Sequence, residues 1–168
     1  RRREKRDERP CQTVAQSPAR NSVMAIVIVP YTAFGPLKFG KTTKQDCITL
    51  LGEPLEERAS RMGVEEFVYE QCVVRFDRKT ATVHECTLLP YTEAWVNGIA
   101  VTWDRTFLRL VCEQDQSPRD VYGFIVLVRL GIAVTGVHDA DDGQLALTAF
   151  SRGAFDDMLP ESTPFVMP

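Results

Sequence analysis

The fold class is decided by one stretch of the sequence, FGKTTKQDCITLLGEP, which covers residues 39–54. Thr42 or Thr43 can cap a helix, because a threonine hydroxyl accepts a hydrogen bond from a free backbone N–H at the helix start. Asp46 stands three residues after Thr43, which is the spacing of a capping box. The stretch therefore predicts a helix that begins right after these threonines.

The same stretch predicts where the helix ends and which side of it is buried. Cys47, Leu50 and Leu51 are spaced i, i+3 and i+4, so they form one apolar face. Gly52 provides a left-handed C-terminal cap, and Pro54 prevents the helix from continuing. The helix is thus short, with about eight to ten residues.

Strand candidates follow this helix and recur after a second helix, which Asp104 can cap. A turn at residues 77–80 joins two of the strands as a hairpin. The candidate strands are residues 24–30, 66–70, 72–77, 81–88, 98–103, 124–130, 131–137 and 145–150. Because each helix is followed by antiparallel strands, we predict an α+β fold of two tandem helix-plus-antiparallel-strand units packed into one domain.

The sequence changes character at Met24, where a β-branched run begins. Residues 1–23 contain seven Lys or Arg and three Asp or Glu, and they lack the apolar side chains for a core. We predict that they form a disordered basic extension, or an artefact of the assigned gene start, with a nucleic-acid-binding tail as the functional alternative. Residues 24–160 are predicted to form the domain, and residues 161–168 a flexible tail.

The predicted domain is acidic, because residues 24–168 contain 13 Lys or Arg against 20 Asp or Glu. A negative field disfavours nucleic acid and favours a basic protein partner. The acids fall into three clusters, and Trp95 beside Asn97 and Gly98 is a candidate interface anchor. The clusters are Glu53, Glu56 and Glu57; Glu65 and Glu66; and Asp139, Asp141 and Asp142.

No recognised catalytic or metal-binding motif is present in the sequence. His138 lies beside three aspartates, but the following Gly143 favours a solvated turn over a metal cluster. The five cysteines form no CxxC pair, so we expect a reducing cytoplasm as the location. The longest apolar runs are far shorter than the roughly 20 residues of a membrane span. We expect no enzymatic activity, no cofactor, no metal and no membrane segment.

A family resemblance rests on four segments: 39–43, 50–54, 67–69 and 74–76. Together they resemble the pattern G-M-T … L-L-G-x-P … Y … F of small bacterial outer-membrane lipoprotein assembly factors and of β-lactamase inhibitory proteins, with Lys41 where the pattern has Met. The resemblance implies tandem helix-plus-hairpin units used for protein binding. A short acidic member also looks like the immunity proteins encoded beside bacterial toxins.

The sequence thus predicts a non-enzymatic protein-binding module, most concretely a bacterial immunity protein that inhibits a cognate basic toxin. The alternative is a small enzyme or ligand-binding domain that uses a cleft between the two units. A homodimer is left open.

Overall fold

Residues 25–167 are described by a computed structural model, and strands dominate this part of the chain. The predicted basic extension, residues 1–23, lies outside the described residues. The helices of the described chain are α1 (Lys44–Leu51) and α2 (Arg105–Asp115), with short 3-10 turns at Asp142–Gln144 and Leu159–Glu161. The strands are β1 (Ile26–Val29), β2 (Ala33–Phe34), β3 (Leu37–Lys38), β4 (Glu56–Ala59), β5 (Glu65–Val68), β6 (Cys72–Phe76), β7 (Val83–Leu88), β8 (Ala94–Val96), β9 (Ile99–Ala100), β10 (Arg119–Val121), β11 (Phe124–Leu127), β12 (Ile132–Thr135), β13 (Ala146–Phe150) and β14 (Thr163–Pro164).

The described strands form two sheets. The larger has nine strands in the order β14-β10-β11-β12-β13-β7-β6-β5-β4, and every neighbouring pair is antiparallel. The smaller has five strands in the order β3-β2-β1-β8-β9, in which β1 and β8 are parallel. In each sheet, strands from the first half of the chain pair with strands from the second half.

The predicted fold class, two tandem helix-plus-antiparallel-strand units, is wrong. The protein is mostly β, with two short helices in the described residues, and both sheets are shared between the halves. The prediction failed because β7 pairs with β13 and β1 with β8, and pairing between distant strands leaves no local pattern in the sequence. It also missed short strands such as β4, whose sequence EERA has three charged residues out of four.

The first predicted helix is confirmed in its boundaries. The Thr43 hydroxyl accepts the Asp46 backbone N–H at 3.2 Å, and the Asp46 carboxylate accepts the Thr43 backbone N–H at 2.9 Å. This capping box begins α1, and Gly52, with φ of +87°, ends it. The predicted apolar face is narrower than expected, because Cys47 is fully buried whereas Leu50 is 49% exposed.

The second helix buries a broader apolar face. The Asp104 carboxylate caps it by accepting the Phe107 backbone N–H at 2.9 Å, as the sequence predicts. Phe107, Leu108 and Val111 are buried against the sheets, whereas Leu110 on the same helix is exposed. The main core therefore lies between α2, the smaller sheet and one face of the larger sheet.

The segment predicted to be a flexible tail runs beside the larger sheet. β14 pairs with β10, and the Phe165 backbone N–H donates to the Pro118 carbonyl at 2.9 Å. Phe165 and Met167 pack against the main core. Residue 168 lies outside the described residues. Within residues 25–167, no helix has the length and apolar character needed to cross a membrane.

Candidate functional site

The two faces of the nine-stranded sheet differ in chemistry, because side chains alternate between faces along each strand. Val74, Cys86 and Leu147 point to the main core and are fully buried. Their neighbours point the other way, onto a face that we call the open face. In the middle of the sheet this face carries Arg58, Glu66, Arg75, Glu85, Thr87, Thr135 and Thr148.

Four charged side chains form a continuous network across the open face, one on each of β4 to β7. Arg58 Nε donates to Glu66 Oε2 at 2.8 Å, and Arg75 Nε donates to Glu66 Oε1 at 2.6 Å. Arg75 Nη1 also donates to Glu85 Oε1 at 2.7 Å. The charges of these four side chains sum to zero, and Glu56 lies 3.5 Å from Arg58 at the outer end of the network.

Glu66 is the buried centre of this network, with 4% of its side chain exposed. Burial alone raises the pKa of this carboxyl, but the hydrogen bonds and charges of Arg58 and Arg75 outweigh burial and hold the pKa below its usual range. Glu66 therefore stays ionised at neutral pH and fixes both guanidinium groups in place.

The hydroxyl groups beside the network are already paired. Arg75 Nη1 donates to Thr87 Oγ1 at 2.6 Å, and the Thr87 and Thr148 hydroxyls lie 2.9 Å apart across β7 and β13. Thr135 Oγ1 donates to the Gln144 carbonyl at 2.6 Å. The hydroxyls therefore hold the local structure together, because each has a partner within the protein.

A groove of about 420 Å³ lies on the open face where the first four-stranded meander, β4 to β7, meets β13. It is lined by Arg75, Glu85, Thr87, Tyr122, Gly123, Phe124, Thr135, Gln144, Ala146, Thr148 and Phe155. We call its polar members the floor of the groove and its aromatic members, Tyr122, Phe124 and Phe155, the rim. Its volume is within the range of small-ligand sites.

The rim is built by a tight turn between β10 and β11. Tyr122 and Gly123 both have positive φ, +52° and +87°, as the two-residue hairpin turn requires. This turn leaves Tyr122 74% exposed and Phe124 44% exposed. Phe155 is buried and stacks on Phe150 at a ring-centroid distance of 4.3 Å, which anchors the other part of the rim.

The predicted glutamates surround one end of the nine-stranded sheet, where β4 is the outermost described strand. We call Glu53, Glu56, Glu57 and Glu65 the acidic edge. Glu56 and Glu65 form salt bridges with Arg58 and Lys44, whereas Glu53 and Glu57 form none with another described residue. The charges of both unpaired glutamates affect Tyr69. Burial raises the pKa of Tyr69, and the charges of Glu53 and Glu57 are among those that raise this pKa further.

The other predicted binding residues lie elsewhere. Asp139, Asp141 and Asp142 are in the turn between β12 and β13, where Asp141 accepts the Gly143 backbone N–H at 3.0 Å. Trp95 is on β8 in the smaller sheet, half-buried, with Val27 as its cross-strand neighbour. The structure therefore places four of the five predicted glutamates around one sheet edge, and it does not join them to the aspartates or Trp95. The fifth, Glu66, is buried between Arg58 and Arg75 instead of lying on the surface.

The described cysteines are not poised as nucleophiles. All four are free and buried. Burial raises the pKa of Cys47 and of Cys72 to about 12, and that of Cys112 to about 11, so these thiols stay protonated at neutral pH. Burial also raises the pKa of Cys86 well above its ordinary value.

One serine–histidine contact is present, between Ser151 Oγ and His84 Nδ1 at 3.4 Å. A general base needs an orienting partner on its other nitrogen. No carboxylate among the described residues pairs with His84.

His138 Nδ1 is buried without a hydrogen bond and lies 3.8 Å from Asp139. Across residues 25–167, no group of three or more His, Cys, Asp or Glu side chains is placed to hold a metal ion.

The groove was missed by the sequence interpretation, although one signal for it exists. Arg75 interrupts the apolar strand Cys72–Phe76, and Glu85 interrupts β7. Opposite charges in two strands predicted to form a hairpin indicate a cross-strand pair, and these two residues are indeed register partners. The rim could not be found this way, because Tyr122 and Phe155 reach the groove through turns.

Comparison with known proteins gives no match. No family model matches the chain, and neither a curated protein nor a solved structure matches it. The resemblance carried by residues 39–76 therefore stays a prediction.

Proposed function

We propose that this chain is a non-enzymatic protein-binding domain that recognises a basic protein partner. The observation that carries the proposal is the acidic edge, where four of the predicted glutamates surround β4 and two of them, Glu53 and Glu57, have no cationic partner among the described residues. Unpaired surface charges of one sign raise the association rate with a partner of opposite sign.

Two further observations support binding over catalysis. The described thiols are buried and protonated, and the Ser151–His84 contact lacks an orienting carboxylate among the described residues. The open face also combines a fixed arginine with exposed aromatic rings, and Arg and Tyr are enriched at the energetic centres of protein interfaces. We place the partner on the open face, with the acidic edge guiding its approach.

The most concrete form of this proposal is an immunity protein that binds and inhibits a cognate toxin in the bacterial cytoplasm. The acidic domain and the motif resemblance support this form. Free buried cysteines suit a reducing compartment.

The test begins with capture of the partner from the source cells by the immobilised full chain, followed by association kinetics on the purified complex. The double variant Glu53→Gln, Glu57→Gln should slow association several-fold at low salt, with the difference vanishing at about 0.5 M salt because the charges are screened. The matched control is Asp139→Asn, Asp142→Asn, which removes the same charge from a different loop and should have a smaller effect.

If both double variants slowed association equally, net charge alone would control the association rate. That result would contradict the acidic edge as the guiding surface. Failure to capture any protein, together with a thermal shift in a metabolite screen, would replace the proposal with a ligand-binding domain that uses the groove.

A further inference from the structure

We infer that the groove binds an uncharged, extended peptide segment, and that the backbone C=O and N–H of one residue of this segment bind Arg75 and Glu85. The inference rests on the proposed protein-binding function and names the chemistry that the partner brings to the open face. It follows from the unused hydrogen-bonding atoms of the floor, the charge of the floor and the composition of the rim.

The floor presents one free donor site beside one free acceptor site. Arg75 uses Nε and Nη1 within the protein, and no described group accepts from its Nη2. Glu85 accepts through Oε1, and no described group donates to its Oε2. Neither atom is among the fully buried side-chain atoms without a partner, and the side chains of Arg75 and Glu85 are 25% and 20% exposed. In an extended segment the N–H and C=O of one residue point to the same side, so they match a donor next to an acceptor.

The charge of the floor selects against ionic ligands. The two arginines and two glutamates of the network cancel, and Glu66 and Glu85 already neutralise Arg75. In the groove an incoming carboxylate would be repelled by Glu85, and an incoming ammonium would be repelled by Arg75. The uncharged backbone of an extended segment makes both hydrogen bonds without adding charge to this partly buried network.

The remaining surface of the groove favours a peptide over a sugar. A sugar ring needs partners for several hydroxyl groups, but Thr87, Thr135 and Thr148 are already paired with groups of the protein. The exposed ring of Phe124 instead offers an apolar wall beside the single donor–acceptor pair. An aliphatic side chain next to the bound peptide group can pack against this wall.

The arrangement is also fixed before binding. Arg75 is held by Glu66, Glu85 and Thr87, and the register between β6 and β7 shifts between Arg75 and Phe76. A local bulge of this kind re-aims a side chain out of the regular ladder. Because the guanidinium is already immobilised, little further side-chain entropy is lost when a peptide group binds.

The experiment titrates the isotope-labelled full chain with N-acetyl-L-leucine N-methylamide and follows the backbone amides of Thr87, Gly123 and Thr148 by NMR. This probe carries two peptide groups and one aliphatic side chain without a charge. We expect saturable shifts confined to the groove, with a dissociation constant on the order of millimolar for so small a ligand. N-acetyl-L-leucine and glucose serve as the carboxylate and saccharide arms, and both should bind at least about fivefold more weakly.

Two variants localise the binding. Glu85→Gln turns an acceptor into a donor, and Phe124→Ala removes the apolar wall, so each should weaken probe binding by about fivefold or more. Tyr91→Ala is the control, because it also removes an exposed aromatic ring, but Tyr91 does not line the groove. Unchanged spectra away from the substituted site show that each variant is folded.

Absence of saturable shifts in the groove, or equal binding of glucose or of the free carboxylate, would overturn the inference. The partner complex separates this failure from failure of the proposed function. If the partner binds wild type and Phe124→Ala equally well, the protein-binding function stands and the groove is not its peptide site. If the probe binds but no partner is captured, the groove inference stands and the protein-binding function does not.

Discussion

The two faces of the nine-stranded sheet are one residue apart in sequence and opposite in chemistry. On β6, Val74 is fully buried in the main core, and the next residue, Arg75, joins the network on the open face. The core face is held by apolar burial, which leaves nothing for a partner to use. The open face is held by directional hydrogen bonds, and within residues 25–167 these leave Arg75 Nη2 and Glu85 Oε2 without a partner. A side chain on this polar face can therefore be held in a fixed position and still bind a partner, whereas a side chain in the core cannot.

The largest effect should follow from truncating a side chain on the core face. Leu147 is fully buried on β13, so Leu147→Ala should lower the free energy of unfolding by about 2 to 5 kcal/mol. Its neighbour Thr148 points to the open face, where Thr148→Ala removes one hydrogen bond and should cost about 1 kcal/mol. Urea titration of both variants measures the difference. Equal losses would show that the two faces are not energetically distinct.

An intermediate effect should follow from changing the centre of the network. Glu66→Gln keeps the shape but leaves one arginine facing an amide N–H instead of a carboxylate, so stability should fall by about 1 to 3 kcal/mol. Glu56→Gln is the control, because Glu56 is 56% exposed on the same edge and should change stability by no more than about 0.5 kcal/mol. If Glu66→Gln changed stability as little as this control, the network would contribute nothing measurable, and the core alone would stabilise the sheet.

The smallest effect concerns pH. The folded pKa of Glu66 lies below its unfolded value of about 4.3. Its ionisation therefore stabilises the fold fully above that value, and this contribution is lost as the pH falls through the lower folded pKa. The stability difference between wild type and Glu66→Gln should accordingly shrink as the pH falls below about 4.3. A difference that stays constant or grows in acid would mean that Glu66 does not carry its charge in the folded protein.

Local features of the fold could be predicted from the sequence, and long-range ones could not. The capping residues Thr43 and Asp104 located both helices, and the hairpin of β6 and β7 was confirmed at the predicted positions. Capping and hairpin signals act over a few residues. The fold class was wrong because it depends on which strands pair across about 60 residues, and several arrangements satisfy the same local pattern.

The candidate site shows the same division. The glutamates of the acidic edge are close in sequence, and they also lie around one strand edge. Trp95 was grouped with them only because it is a large aromatic beside a turn, and the structure puts it in the other sheet. The groove was out of reach, since its floor joins β6 and β7 to β13 and its rim depends on the Tyr122–Gly123 turn.

The pairing of β7 with β13 has a consequence for synthesis of the chain. Leu88 ends β7 and Ala146 begins β13, so 58 positions separate the two edges that meet at the centre of the sheet. At about 5 to 20 residues per second, a growing chain presents the unpaired edge of β7 for roughly 3 to 12 seconds. Glu85 on that strand places a charge along the waiting edge, and charged side chains discourage pairing with a foreign strand. Glu85, which lies on the binding face of the folded protein, thus also protects the growing chain from pairing with other strands.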